Sequence, residues 1–192
     1  MGYELIDIAL KYLRDVLDAY LVNSFGVEKG IVVLNGLVTQ DGQPVQKNQN
    51  KIIISMVHLE QETTRQVYGN RMPNGAGVAR VNPPVLFNIQ TLIGANFDDY
   101  SEALKLLTAA IGFFQQNLVL NRASNPDMPQ GLDQLQFEIE NLSLFDIHNL
   151  WSSMGAKYLP SILYKLRHVT IDLERIRQAE ERVTQVAGAV LP

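Results

Sequence analysis

The chain of 192 residues contains no cysteine. That excludes disulfides, thiolate metal sites and a cysteine nucleophile together, and it suits folding in a reducing cytoplasm. Lysine and arginine are scattered, and the net charge is -4 with a pI of about 5.4. The basic face that nucleic-acid binding needs is therefore lacking, and no nucleic-acid partner is expected. No apolar run approaches the roughly 18 to 20 residues of a membrane span, so no direct membrane insertion is expected. The first 25 residues break their apolar pattern with Glu4, Asp7, Asp15 and Asp18. A signal-peptide core would not tolerate those acids, which predicts a soluble protein made in the cytoplasm. Catalytic signatures are missing too. Neither a G-x-S-x-G elbow nor a G-x-x-x-x-G-K-[ST] loop occurs.

What is present reads as one domain. A hydrophobic share of 46% beside 19% charged residues is that of a soluble globular chain, and the length argues against two domains. From Tyr3 to Leu21, Leu5, Ile8, Ala9, Tyr12, Leu13, Val16, Leu17 and Tyr20 recur at three- and four-residue steps, with Asp7, Lys11, Asp15 and Asp18 opposite. This predicts an amphipathic helix ended by Asn23, Ser24 and Gly26. Gly30–Val38 and Lys51–Leu59 are rich in β-branched residues and predict strands. The turn-rich Thr39–Pro44 between them carries Asp41-Gly42, a hairpin signal. Both faces of Lys51–Leu59 are largely apolar, as in an inner strand covered on both sides. Glu60–Val81 shows no sustained periodicity and reads as a flexible loop. Gly75-x-Gly77 lies inside it, but Arg80 stands at the third glycine position and no helix pattern follows. A dinucleotide fingerprint needs all of those parts.

Val85–Ala95 alternates as a strand. Asp98 or Asp99 then caps a long helix, with Glu102 in capping-box position. Its expected inward stripe is Tyr100, Ala103, Leu104, Leu107, Ala110, Ile111, Phe114 and Leu118. Leu106 and Phe113 fall partly outside that stripe and suggest cover on a second side. Residues 121–131 form a loop, and Leu132–Leu142 alternates with Leu135, Phe137 and Ile139 inward. Ser143 can cap a short helix over Leu144–Met154, Gly155 ends it, Pro160 blocks its return, and Ser161–Asp172 is again a strand. Residues 1–174 are thus expected to form a single α+β domain. Its sheet is largely antiparallel, with two main helices packed on it, mainly on one face. Residues 175–192 form a charged tail with a weak apolar stripe of helical spacing.

Few side chains invite chemistry. None of His58, His148 and His168 has the HExxH spacing of a zinc helix, and two lie on predicted strands with apolar neighbours. All three are expected to be structural groups. Glu138 and Glu140 stand roughly 6 to 7 Å apart on one strand face, a separation that overlaps the spacing of glycosidase carboxylates. Any solvated strand face shows such a pair, and no apolar pocket is evident to raise one pKa. No catalytic, cofactor or metal residue is assigned.

Four stretches carry a resemblance: the N-terminal amphipathic helix, KIIISMVHLEQE, NPPVLFNIQTLIGANFDDYSEALKLLTAAIGFFQQN, and LDQLQFEIENLSLFDIHNLWSSMGAKYLPSILYKLR. In that order they resemble the cap, or tube-terminator, proteins of extracellular contractile injection systems, phage-tail-like particles of the virulence-cassette and antifeeding-prophage type. The resemblance runs from about Glu4 to Asp172, and LWSSMGAKYLPSILYKLR is its most distinctive part. It implies a phage tail-terminator-like fold and an assembly role without catalysis or cofactor. Such proteins are expected to form a homohexameric ring on the baseplate-distal end of the inner tube. The ring stops tube growth and touches the last sheath layer, so the implied partners are the chain itself, inner tube protein and sheath protein. The finished particle is then released or membrane-attached. A closed ring needs two different patches on each subunit, and aromatic, Met and cationic residues suit such contacts. Trp151, Met154, Lys157, Tyr158, Tyr164 and Arg71 are the candidates, each with core packing or plain solvation as its alternative. Two other readings stay open: a different terminal or connector component of such a particle, and an unrelated hydrolase or ligand-binding domain built from scattered residues.

Overall fold

A computed structural model of the chain describes residues 5–63, 71–74, 77–80 and 85–171. The first helix, α1 (Leu5–Phe25), buries Leu5, Ala9, Leu10, Leu13, Leu17 and Leu21. It passes through Asn23 and Ser24, one turn beyond the expected end, because both are exposed and nothing there opposes helical backbone. Gly26 stops it. At φ 66 this glycine adopts the left-handed conformation that ends helices, and its N–H donates to Val22 O at 3.0 Å.

Six strands form one sheet in the order β1 (Val32–Leu34), β2 (Lys51–Gln61), β5 (Val85–Asn96), β8 (Ser161–Ile171), β7 (Gln134–Ile139) and β6 (Val119–Asn121). Every neighbouring pair is antiparallel except β1 with β2. The expected α+β class and largely antiparallel sheet are what the structure has, and β2 is an inner strand. Two local expectations give way. The Asp41-Gly42 turn forms, with Gly42 at φ 71 and Thr39 N–H donating to Gln43 O at 2.8 Å, but it does not join β1 to β2 as a hairpin. Residues 35–50 make a crossover instead, which parallel pairing requires. Buried Asn48 fastens that crossover: its side chain donates to Gly36 O at 2.8 Å and accepts from Asn35 at 3.0 Å, while its carbonyl accepts from Asn96 at 2.8 Å. Glu60–Val81 is not simply a flexible loop. β2 continues to Gln61, and β3 (Arg71–Asn74) pairs antiparallel with β4 (Gly77–Arg80) in a separate ribbon, Asn74 opposite Gly77. The Asn74-Gly75 dipeptide is a hairpin signal. It lacks the alternating flanks that usually announce one.

The edge strand β1 is held by a carboxylate. Asp18 on α1 is buried; it accepts from Gly30 N–H at 3.0 and 3.1 Å and from Val32 N–H at 2.9 Å. Its oxygens thus occupy donors that no further strand among the described residues reaches. Asp18→Ala should lower stability by about 3 kcal/mol, since charge-assisted bonds are lost and the buried Val32 N–H is stranded. Asp18→Asn keeps one acceptor and should lose less. Urea unfolding checks both, and a loss below about 1 kcal/mol for the alanine variant would discount the clamp.

α1 and α2 (Tyr100–Gln116) cover one face of the sheet. Leu13, Ala110, Phe114, Ile54, Ile93, Phe137 and Leu166 meet there in the main core. Asp99 caps α2, accepting from Ser101 N–H at 2.8 Å and Glu102 N–H at 3.4 Å. The buried arc of α2 differs from the expected stripe: Leu106, Ala109 and Phe113 are buried, whereas Tyr100, Leu104 and Leu118 are exposed. The cause is α1, which lies alongside and sets Tyr20 5.3 Å from Phe113, turning the arc toward itself. Leu118 falls beyond the helix end and leads into β6, three residues that sequence alone leaves in a loop. Ile139, expected inward, is exposed at the end of β7, because β6 pairs only as far as Gln136. The third helix, α3 (Leu144–Met154), lies on the other face, where Trp151 meets Leu92 and Leu163. Adjacent strand residues point to opposite faces, so Leu92 and Ile93 serve different cores. The tail over 175–192 lies outside the described residues.

Candidate interface surfaces

The segment from Ser143 to Ile171 forms a helix-to-strand corner with both ends of its helix fixed locally. Ser143 Oγ accepts from Asp146 N–H at 3.2 Å and donates to the Asp146 carboxylate at 2.6 Å, a reciprocal cap with Asp in the usual Glu position. Gly155 at φ 63 closes α3. Pro160 O then accepts from Ala95 N–H at 2.9 Å, which pins the turn to β5 before β8 begins.

The candidate contacts sort by face. Tyr164 is 2% exposed and stacks on Phe114 at 4.1 Å. Burial pushes its hydroxyl pKa up to about 12. It therefore builds the main core and offers no surface, because it points to the α1–α2 side of β8. Trp151, 6% exposed, is the centre of the second core, with Met154 half-buried beside it. Tyr158 packs a tilted ring 5.3 Å from Trp151 yet remains 64% exposed, and Lys157 is exposed next to it. Arg71 stands on β3 opposite Arg80; its side chain lies outside the described residues.

The largest apolar exposures were not among the expected residues. Leu144 and Phe145, at 87% and 72%, occupy the first turn of α3. The signal was present in the sequence. Phe145 falls off the stripe of Ile147, Leu150, Trp151 and Met154 that recurs at three- and four-residue steps. Two further apolar exposures lie on the helix layer, about 20 Å apart along α2: Tyr100 and Leu104 one turn apart at its start, and Leu118 and Val119 beyond its end, leading into the edge strand β6. Each side of the sheet thus presents bulky apolar side chains to solvent.

The α3 face also carries a ladder of charges. Lys165 Nζ lies 3.2 Å from both the Glu60 and Glu140 carboxylates. Arg167 lies 3.1 Å from both Glu62 and Glu138. Glu138 and Glu140 are thus each paired with a different cation. Asn88 donates to the buried Glu62 at 3.0 Å. The hydrogen bond from Lys165 holds the Glu60 carboxyl below its ordinary 4.5, against the effect of burial. Burial pulls the Lys165 ammonium down, but hydrogen bonds to Glu60 and Glu140 outweigh it and keep it above 10.5. The signs set a window. A lowered carboxyl stabilises the fold above pH 4.5 and ceases to as pH falls through its folded value. A raised ammonium stabilises below pH 10.5 and ceases to as pH rises through its folded value. The stability difference between wild type and Lys165→Gln should therefore be widest between these limits and narrow beyond each, as urea unfolding across pH can check.

His58 and His148 are exposed, His58 on the sheet face that carries α3 and His148 on the outer side of α3. The side chain of His168 lies outside the described residues. Among the described residues no group of three or more His, Asp or Glu could hold a metal, and no helix is long and apolar enough to cross a membrane.

This layout, a six-stranded sheet with two helices on one face and a capped helix on the other, is the fold of a sheath/tube terminator. The cryo-EM structure of such a terminator from a PVC extracellular contractile injection system, in its extended state, matches 87% of this chain with a TM-score of 0.56 and 15% sequence identity. The match covers 57% of that terminator, so the chain spans little more than half its length. Residues 10–185 match the Pvc16 N-terminal domain family, and the chain belongs to that family. No curated protein sequence matches it.

Proposed function

We propose that this chain is a structural terminator of a contractile injection particle, a ring subunit that caps the baseplate-distal end of the inner tube and touches the last sheath layer. The observation that supports it most is the fold shared with a sheath/tube terminator over 87% of the chain. Its surface fits the task. A ring of identical subunits joined head to tail uses two different patches on each copy. The first turn of α3, with Tyr158 and Lys157 on the same helix-to-strand corner, and the Tyr100–Leu104 patch at the start of α2 are two such surfaces on opposite sides of the sheet. In this reading the ring is a homohexamer, its partners are tube and sheath protein, and the role needs no cofactor. Met154 beneath the corner serves at the margin of its contact, Arg71 on its separate ribbon is a further candidate contact, and Trp151 and Tyr164 support β8 and α3 from the two cores.

Deleting the gene and imaging the particles tests this. A terminator's loss should give tubes and sheaths of uncontrolled length, and particles of unchanged length distribution would sink the reading.

A further inference from the structure

We infer that the groove between α3 and the sheet is a docking site for an extended segment of a protein partner, one carrying a bulky apolar side chain and, two residues on, a lysine or arginine. The inference goes beyond the terminator role and stands or falls without it. The groove measures about 330 Å³ and is lined from α3 by Asp146, Asn149 and Ser153 and from the sheet by Val57, Gln90 and Leu163. Its floor is firm, since Val57 and Leu163 belong to the core around Trp151. Two of its polar groups are already used: Ser153 Oγ donates to Leu150 O at 2.8 Å, and the Asp146 carboxylate accepts from Ser143 at 2.6 Å. The amides of Gln90 and Asn149 are not used. Neither has a hydrogen-bond partner among the described residues. A side-chain amide offers both donor and acceptor, which is what the main chain of an extended segment needs.

The charge ladder supplies the second half of the specificity. Leu163, Lys165 and Arg167 alternate on the same face of β8, so the ladder begins where the groove's apolar floor ends. One side-chain repeat along a strand spans roughly 6 to 7 Å, the same as between alternate side chains of an extended peptide. An apolar residue seated over Val57 and Leu163 thus brings the side chain two positions on toward Lys165 and its carboxylates. There two carboxylates, Glu60 and Glu140, share one cation, Lys165. The described residues of this ladder carry excess negative charge, which favours a cation in that position and repels an acid.

A displayed library of random linear peptides, selected on the full chain, tests the site. Asn149→Arg fills the groove and adds a positive charge from an exposed helix position. Ser153→Trp fills it from the next turn and serves as the second variant, with circular dichroism confirming the fold of each. Selected peptides should share an apolar residue followed two positions later by Lys or Arg. Synthetic copies should bind either variant roughly tenfold or more weakly, lose as much when the cation is changed to Glu, and weaken as salt is raised. Failure to enrich that pattern, an acidic pattern, or equal binding to the variants would overturn the proposal. So would displacement of the selected peptides by a synthetic peptide of residues 172–192, which would give the groove to this chain's own C-terminal segment.

Discussion

Phe114→Ala should lower the stability of this domain by about 4 kcal/mol, the upper part of the range for a buried phenylalanine. Phe114 is fully buried and joins three elements. Its ring stacks on Tyr164 of β8 at 4.1 Å and meets Phe137 of β7 at 5.0 Å and Phe113 at 5.2 Å, both edge-on. Such pairs contribute about 0.5 to 1.5 kcal/mol each beyond their buried area. Truncation removes all three together and leaves a cavity whose walls are strands that cannot collapse inward. For a domain of ordinary stability, about 5 to 15 kcal/mol, this is roughly a quarter or more of the total. The urea midpoint should fall with the slope unchanged, and a loss below about 2 kcal/mol would show that the core relaxes around the gap. Tyr164→Phe is the control from the same stack. Its hydroxyl is buried without a hydrogen-bond partner among the described residues, so removing it should leave stability unchanged or raise it by about 1 kcal/mol.

The contrast between these rings bears on what the sequence could show. Features decided by local chemistry were legible: Ser143, Gly155 and Pro160 mark the α3 corner, Asp99 marks the start of α2, and the long strands alternate. Features decided by distant packing were not. α2 is apolar on two sides, and only the position of α1 fixes which side is buried. β6, three residues long, is a strand because β7 lends it a ladder. Trp151 and Tyr164, read from the sequence as either contact or core residues, both lie in cores. Leu144 and Phe145, common in type, are the exposed pair at the start of α3, where Phe145 falls off the helix's apolar stripe. The peptide groove was equally hidden, since it brings together α3, β2, β5 and β8 from across the chain.

That exposed pair carries the second large expected effect: Phe145→Asp should leave the fold intact and abolish ring assembly. The fold is spared for two reasons. Phe145 is 72% exposed, so its removal takes little packing with it. It is also the second residue of α3, where an added carboxylate faces the positive end of the helix dipole and favours the helix by about 0.3 to 1 kcal/mol. Stability by urea unfolding should therefore be unchanged or slightly raised. Assembly should respond in the opposite sense. An aromatic anchor at the centre of a contact is worth roughly 2 kcal/mol or more, and a carboxylate put in its place must also be desolvated. In a closed ring the loss recurs at every subunit contact, so it multiplies. Light scattering after size exclusion, with tube protein present, should show wild-type rings and monomeric Phe145→Asp. A head-to-tail contact has two different halves, so Leu104→Asp on the opposite patch should break the ring as well, and mixing the two variants should restore at most a dimer, through the one pairing in which both patches are intact. Rings that persist in Phe145→Asp would move the subunit contact off the α3 corner and leave that surface to the tube or the sheath.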